Sequence, residues 1–91
     1  MPVTIRLSPL LSEYAGGPAE LSLAATSVRA ALAELERRHP ASFRGVCNET
    51  GAVRTHVNVF VNERNVRTLQ GLDTPLRAGD VVTIIQAVSG G

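Results

Sequence analysis

Hydrophobic and polar residues alternate with a period of two in three segments of the chain, which is the pattern of a half-buried β-strand. The segments are residues 3–7, 20–23 and 57–61. A further segment, 81–85, is apolar on both faces, and such a strand is usually central in its sheet because both faces are covered. Residues 66–69 are predicted as a short returning strand. The pattern therefore predicts a sheet of about five strands.

One stretch instead repeats its apolar residues at the spacing of a helix face, and these are Val28, Ala31, Leu32 and Leu35. Ser27 precedes this stripe and is a good N-cap, because its hydroxyl accepts a hydrogen bond from a free amide of the first turn. Pro40 ends the helix. Shorter helices are predicted at residues 10–14 and 41–47.

The order of these elements is strand, strand, helix, strand, short strand, strand. It predicts an α+β fold in which a mixed sheet carries one main helix across one face. If the first and last strands are parallel neighbours in the middle, this is the β-grasp, or ubiquitin-like, arrangement. The order alone also permits a ferredoxin-like variant or another α+β roll. We expect one β-grasp domain over residues 1–85 and a flexible tail over residues 86–91 that ends in Gly-Gly.

Composition narrows the classes of function. The chain has 91 residues and a net charge of +1, which argues against nucleic-acid binding because a basic stripe is expected there. The sequence has no apolar run long enough to span a membrane and no signal peptide, so we expect a cytoplasmic protein that does not bind membranes. All nine basic residues are arginine. Without a side-chain amine, the chain can donate a carboxylate to an isopeptide bond but cannot accept one on a side chain.

Local spacing gives no residue set of an enzyme, such as a carboxylate pair or a Ser–His or Cys–His pair. Gly16-Gly17 and Gly90-Gly91 lack the spacing and the lysine of a phosphate-binding Walker loop. Cys47 has no neighbouring cation in the sequence to activate its thiol, and we expect a small, half-buried residue. His56 has no second ligand at metal spacing. We therefore expect no catalytic residue, no metal and no bound cofactor.

Two glycines follow the last predicted strand and end the sequence at Gly91. A free α-carboxylate, with a pKa of about 3.3–3.7, is an ionised oxygen nucleophile at neutral pH. The five residues from Ala87 extend about 17 Å, at ~3.4 Å each. Glycine residues lack Cβ and fit a narrow channel. On these residues alone, a functional tail and a featureless one are equally supported.

The closing segment 80–91 resembles that of the ThiS/MoaD-type sulfur carriers, which have a Gly-Asp turn, an apolar strand and a small-residue tail ending in Gly-Gly. Further similar segments extend the resemblance over essentially the whole chain: Gly16-Gly17, Ser27-Val28, 57–62, Val66-Arg67, Gly71-Leu72 and 74–76. The order and spacing of these segments, rather than any one motif, is specific. Within the family, the chain is most similar to the CysO-type carrier of cysteine biosynthesis, with the small subunit of molybdopterin synthase as the nearest rival. Gln86-Ala87 stands where many members carry one or two prolines, which implies a slightly less stiff tail.

The resemblance implies a sulfur carrier rather than an enzyme. Gly91 would be the site of adenylation and of the thiocarboxylate, and Gly90, Ser89 and Val88 would be recognised in the tail. The implied partners are an adenylating sulfurtransferase of the ubiquitin-activating type, which uses ATP, and a sulfur-accepting biosynthetic enzyme, such as a PLP-dependent cysteine synthase. The alternatives are a molybdopterin synthase subunit, a ubiquitin-like modifier conjugated through Gly91, and a pure interaction domain. Carriers of similar sequence serve several sulfur acceptors, so the residues do not specify which acceptor this chain serves.

A partner-docking face is expected on the side of the sheet away from the helix. Phe60 and Ile85 are predicted to lie together there as an apolar patch, with Arg64 and Arg67 flanking it. A satellite core beneath residues 41–55 is equally consistent with the two apolar residues. Solvated surface positions are the default interpretation of the two arginines.

Overall fold

The computed structural model describes residues 2–86, in which three helices pack against a five-stranded mixed sheet. The helices and strands are, in chain order, β1 (Pro2–Leu7), α1 (Pro9–Ala15), β2 (Glu20–Ala24), α2 (Val28–Arg38), α3 (Pro40–Val46), β3 (Val57–Val61), β4 (Arg64–Asn65) and β5 (Val81–Gln86). Two short 3-10 turns, Val66–Thr68 and Gly71–Asp73, lie between β4 and β5.

The strands are arranged in the order β2-β1-β5-β3-β4. β1 and β5 are parallel neighbours, with Ile5 opposite Val82, and every other pair of the sheet is antiparallel. The first and last strands are thus joined at the centre, as the sequence predicts. This arrangement confirms the α+β, β-grasp fold over its alternatives and makes β5 a central strand.

One aliphatic cluster fills the space between the sheet and the helices. The sheet supplies the inward-facing residues of its three central strands: Val3, Ile5, Leu7, Val57, Val59, Val61, Val82 and Ile84. Burying one such side chain stabilises the fold by about 1.5–3 kcal/mol relative to leaving it exposed. In β5, Val82 and Ile84 are completely buried, each with 0% of its surface exposed. The packing of the core therefore fixes the position of the central strand.

The main helix, α2, forms where its apolar stripe predicts. The backbone N–H of Ala30 donates a hydrogen bond of 3.1 Å to Ser27 Oγ, which is the expected N-cap. Arg37 and Arg38 both pair with Glu34, at 2.8 and 3.2 Å, on the exposed side. The hydrogen bond from Arg37 is the main cause that lowers the pKa of Glu34. Both short helices are also confirmed, and within residues 2–86 no helix is long and apolar enough to cross a membrane.

The prediction of a returning strand at residues 66–69 is wrong. The chain returns earlier, because Asn62 adopts a left-handed conformation with φ of 56° and closes a tight turn directly after β3. The strand that follows, β4, has only two residues and ends at Asn65. The Asn65 side chain then accepts a hydrogen bond of 2.9 Å from the N–H of Arg67, which caps a 3-10 turn in place of the predicted strand.

Candidate functional site

The candidate site is the end of β5, from which the predicted tail continues. β5 is paired with β1 on one edge and with β3 on the other, and Gln86 lies opposite Val57. The N–H of Gln86 also lies 3.4 Å from Ser8 Oγ, to which it donates. The predicted boundary at residue 85 thus falls one residue before the end of the strand. The predicted site residues Val88, Ser89, Gly90 and Gly91 lie outside the described residues.

The start of β5 is held by a pair of side chains that we call the Asn62–Asp80 clamp. Asn62 Nδ2 donates to Asp80 Oδ1 at 3.2 Å, and Asn62 Oδ1 accepts from the N–H of Val81 at 3.1 Å. The other carboxylate oxygen of Asp80 accepts from the N–H of Arg77 at 2.8 Å. Gly79 precedes the clamp with φ of 88°, a left-handed conformation that favours glycine. The Gly-Asp turn therefore fixes where the central strand begins.

The outer face of the sheet brings together two of the four predicted docking residues. Phe60 of β3 lies opposite Thr83 of β5, and Ile85 is two residues after Thr83 on β5. Directly paired residues and residues two apart on a strand share a face, so Phe60 and Ile85 both point away from the core cluster. Ile85 is 41% exposed and Phe60 is half-buried. This placement argues against the alternative of a satellite core.

The two predicted flanking arginines are placed differently from Phe60. Arg64 lies opposite Val61, whose buried side chain points to the helix side, so the register puts Arg64 on the other face from Phe60. Arg64 lines a groove there with Leu69 and Pro75. Arg67 is exposed in the 3-10 turn beyond β4. Of the predicted docking residues, only the apolar pair, Phe60 and Ile85, therefore lies together on the outer face of the sheet.

The structure also contains a cleft that the sequence did not predict. This exit cleft has a volume of about 430 Å³ and is lined by Leu10, Arg44, Gly45, Arg54, His56 and Gln86. Its walls come from α1, α3, the loop before β3 and the last residue of β5. Gln86 places the cleft directly at the base of the predicted tail. No local motif joins these residues, because only the packing of four separate segments makes them neighbours.

Cys47 is not part of a reactive site. The side chain is 1% exposed, so it is more deeply buried than expected from the sequence. This burial raises the pKa of the Cys47 thiol to about 11; Glu36 contributes in the same direction, and Arg54 opposes it. A thiol with such a pKa is almost entirely protonated at neutral pH and is a poor nucleophile.

The sheet order, with parallel first and last strands at its centre, defines a ubiquitin-like protein of β-grasp class, and solved structures agree. SAMP1 from Haloferax volcanii superposes with a TM-score of 0.84 at 28% identity, with 100% of both chains covered. CysO in the Amycolatopsis orientalis BexX/CysO complex superposes with a TM-score of 0.82 at 29% identity, covering 98% of this chain and 99% of that one.

Sequence comparison then identifies the family. The ThiS family matches residues 9–91. The sulfur carrier protein CysO of Mycobacterium tuberculosis is 31% identical over 93 residues, which cover 100% of both proteins. The chain belongs to the ThiS family, and the relatives that match it over their full length are named as sulfur carriers rather than as enzymes. The predicted membership of this family is confirmed.

Proposed function

We propose that this chain carries sulfur as a thiocarboxylate on Gly91 and donates it to a biosynthetic enzyme in the cytoplasm. The observation that carries the proposal is the full-length similarity to a named sulfur carrier, in a chain whose central strand is followed in the sequence by a short segment with Gly90-Gly91. The chain itself binds no cofactor in this scheme. Its carboxylate is the substrate of a partner that binds ATP.

The proposed loading occurs in two steps. A carboxylate oxygen of Gly91 attacks the α-phosphorus of ATP on the adenylating partner, the bond to the β-phosphate oxygen breaks, and pyrophosphate leaves. Sulfide then attacks the acyl carbon of the adenylate and AMP leaves, so that a terminal thiocarboxylate remains. The reactive groups come from the tail and the partner, which agrees with the inert Cys47 in the folded domain.

The contribution of the folded domain is to present the tail from a fixed point. β5 is hydrogen-bonded on both edges, and its inner side chains are fully buried. A partner that binds the domain therefore receives the tail at a defined position and direction. This lowers the entropic cost of bringing the carboxylate to ATP.

Cysteine is the sulfur-containing product that the similarity to CysO supports, and a PLP-dependent cysteine synthase is the matching acceptor. The thiocarboxylate sulfur would form a bond to a substrate carbon held by that enzyme, in place of a leaving group that departs with its bonding electrons. Hydrolysis of the new thioester would then release the product thiol and restore the Gly91 carboxylate. The small subunit of molybdopterin synthase is the alternative within the same chemistry.

The adenylation step tests the proposal directly. We predict that Gly91→Ala reduces AMP-adduct formation by about 100-fold or more with the adenylating enzyme that co-purifies with the chain, because an added methyl group meets the wall of a channel shaped for glycine. Its melting temperature should stay within about 2 °C of the unaltered chain, since the substitution leaves the core of residues 2–86 unchanged.

The matched control is Ala78→Gly, which also changes a single methyl group but lies in the exposed turn before β5. Intact-mass measurement after incubation with ATP reports the AMP adduct for all three proteins. An undiminished adduct on Gly91→Ala would contradict the proposal.

A protein modifier is the second candidate function, and the similarity to small archaeal modifier proteins favours it. Besides the structural match, small archaeal modifier protein 3 of Haloferax volcanii is 46% identical over 43 residues, which cover 47% of this chain. Conjugation would join Gly91 to an amine of another protein. It would appear as discrete adducts of high mass, whereas sulfur loading changes only the mass of the chain itself.

A further inference from the structure

The exit cleft has two arginine side chains without a carboxylate partner among residues 2–86. Among these residues, its walls carry Arg44, Arg54 and the imidazole of His56 and no carboxylate side chain. Within residues 2–86, every ion pair involves other arginines, so neither Arg44 nor Arg54 has a carboxylate within 4.0 Å. A neighbouring groove that shares these two arginines contains Glu36 and Glu49, and neither of these reaches ion-pair distance.

One internal contact orders the cleft. Arg54 Nε donates a hydrogen bond of 2.9 Å to the backbone carbonyl oxygen of Arg44. This bond uses one N–H of Arg54 and leaves the remaining donors of its guanidinium group available. Both arginine side chains are exposed. The guanidinium group of Arg54 is thus held against the backbone of Arg44, whose own side chain lines the same cleft. Guanidinium groups match planar carboxylates, which they bind through paired hydrogen bonds.

Exposed apolar side chains lie at the same end of the molecule. Among the side chains that the structure describes, the exposed large hydrophobic residues are Leu10, at 51%, and Ile85, at 41%. Leu10 lines the exit cleft beside Gln86, and Ile85 is the residue before Gln86 on the outer face of the sheet. Apolar surface and free positive charge therefore surround the base of the predicted tail.

We propose that the exit cleft docks an acidic segment of the adenylating partner, at the rim of the channel that takes up the tail. Carboxylates of that segment pair with Arg44 and Arg54, while Leu10 contacts an apolar residue of the same rim. This inference rests on the proposed function. A tail bound at its tip alone leaves the domain free to rotate, whereas a second contact at its base fixes the orientation of the domain.

A protein carboxylate fits the cleft better than a phosphate chain does. The chain as a whole has a net charge of only +1, and the cleft contributes two arginines rather than a basic stripe along a surface. The exposed Leu10 at the same cleft adds an apolar contact that a polyphosphate cannot use. The combination of an arginine pair with an apolar neighbour is typical of a protein–protein interface.

The test is the concentration dependence of adenylation by the co-purified partner. For the double variant Arg44→Glu and Arg54→Glu, we expect the apparent KM for the carrier to rise at least about tenfold, because like charges then face each other. We expect kcat to stay within about twofold, since Gly91 is unchanged. Added salt should raise the KM of the unaltered chain, because it screens the attraction, and should lower the KM of the double variant, because it screens the repulsion.

The matched control for either single reversal, Arg44→Glu or Arg54→Glu, is Arg77→Glu, which makes the same charge change at the opposite end of β5 and should leave the KM unchanged. The pair Arg44→Gln and Arg54→Gln removes charge without reversing it and should give an intermediate KM. This pair replaces the reversed pair in the test if the reversed pair folds poorly. Equal KM values for the cleft variants and the control would overturn the inference. A rise in the KM for ATP rather than for the carrier would also overturn it, because the cleft would then bind nucleotide phosphate.

Failure of the proposed function has a different signature in the same assay. If the partner forms no AMP adduct on the unaltered chain, the proposed function is overturned and this inference with it. If the unaltered chain and the cleft variants are adenylated equally well at every concentration and salt level, the proposed function stands and the docking inference fails.

Discussion

At the scale of single residues, Ser42 stands out because its hydroxyl group is buried without a hydrogen-bond partner within residues 2–86, whereas buried polar groups usually have one. Its side chain is 1% exposed, and its Oγ has no hydrogen-bond partner among the described residues. Gly17 lies directly beside it, since a Cβ added to Gly17 would sit 2.5 Å from Ser42 Oγ. Gly17 is therefore required because it leaves space for a hydroxyl group, and its own backbone conformation does not demand glycine.

We predict that Gly17→Ala lowers the free energy of unfolding by about 1–3 kcal/mol, because the added methyl group overpacks this contact. Ser42→Ala should change stability by less than about 1 kcal/mol, since it removes a buried hydroxyl that has no partner. The double variant should recover most of the loss caused by Gly17→Ala. Urea unfolding of the four proteins measures this coupling, and strictly additive effects would show that the two residues do not compete for space.

At the scale of elements, the Asn62–Asp80 clamp determines how β5 begins. The clamp joins the turn after β3 to the turn before β5 through two hydrogen bonds of the Asn62 side chain. Asn62 also adopts φ of 56°, a left-handed conformation that asparagine tolerates better than most residues. Its backbone conformation and its side chain thus contribute separately to the same junction.

Two substitutions of Asn62 separate these contributions. Asn62→Gly removes the hydrogen bonds but tolerates the left-handed backbone, and it should cost about 1 kcal/mol. Asn62→Ala removes the bonds and adds backbone strain, so it should cost about 1–2 kcal/mol more than the glycine variant. Chemical denaturation compares the two variants. Equal stability of the glycine and alanine variants would show that the left-handed conformation contributes no strain.

The elements that could be predicted from the sequence are those whose pattern is local and repeated. In β1, β3 and α2, the pattern of apolar and polar residues repeats several times within the element itself. In β5, the apolar residues on both faces correctly indicate a central strand. β4 has two residues, too few to show any period, and its position depends on the conformation of Asn62. The predicted strand at residues 66–69 is wrong for this reason.

The exit cleft could not be predicted because its residues are far apart in sequence. Leu10, Arg44, Arg54 and Gln86 become neighbours only when α1 and α3 pack beside the end of β5. Residues 41–55 also carry the least regular pattern of the chain. The prediction that Arg64 flanks the apolar patch is wrong because of the strand register. The early turn pairs Arg64 with Val61, so this side chain lies on the other face of the sheet from Phe60. Long-range packing and turn geometry thus limit what the sequence reveals about the docking surface.

At the scale of the whole molecule, stability and chemistry reside in different parts of the chain. The described domain supplies a sheet with a fixed central strand, and the proposed reactive group lies beyond it at Gly91. The absence of lysine in the sequence means that the chain cannot accept a copy of itself on a side chain. Substitutions in the tail should therefore alter transfer without altering folding, and core substitutions should do the reverse.

The central claim predicts a specific mass on the last tryptic peptide of the chain isolated from its own cell. Cleavage after Arg77 releases residues 78–91, which contain neither methionine nor cysteine. Exchange of one carboxylate oxygen for sulfur adds about 16 Da, and the absence of both residues removes the usual oxidation products of the same mass shift. Treatment of the native protein with iodoacetamide before digestion labels the thiocarboxylate, while the Cys47 thiol, with its pKa raised to about 11, reacts slowly.

We expect a fraction of peptide 78–91 to carry both the sulfur and the label, and a Gly91→Ala chain from the same cell to carry neither. An unmodified peptide 78–91 together with conjugates of higher mass joined through Gly91 would contradict the carrier function and support a protein modifier.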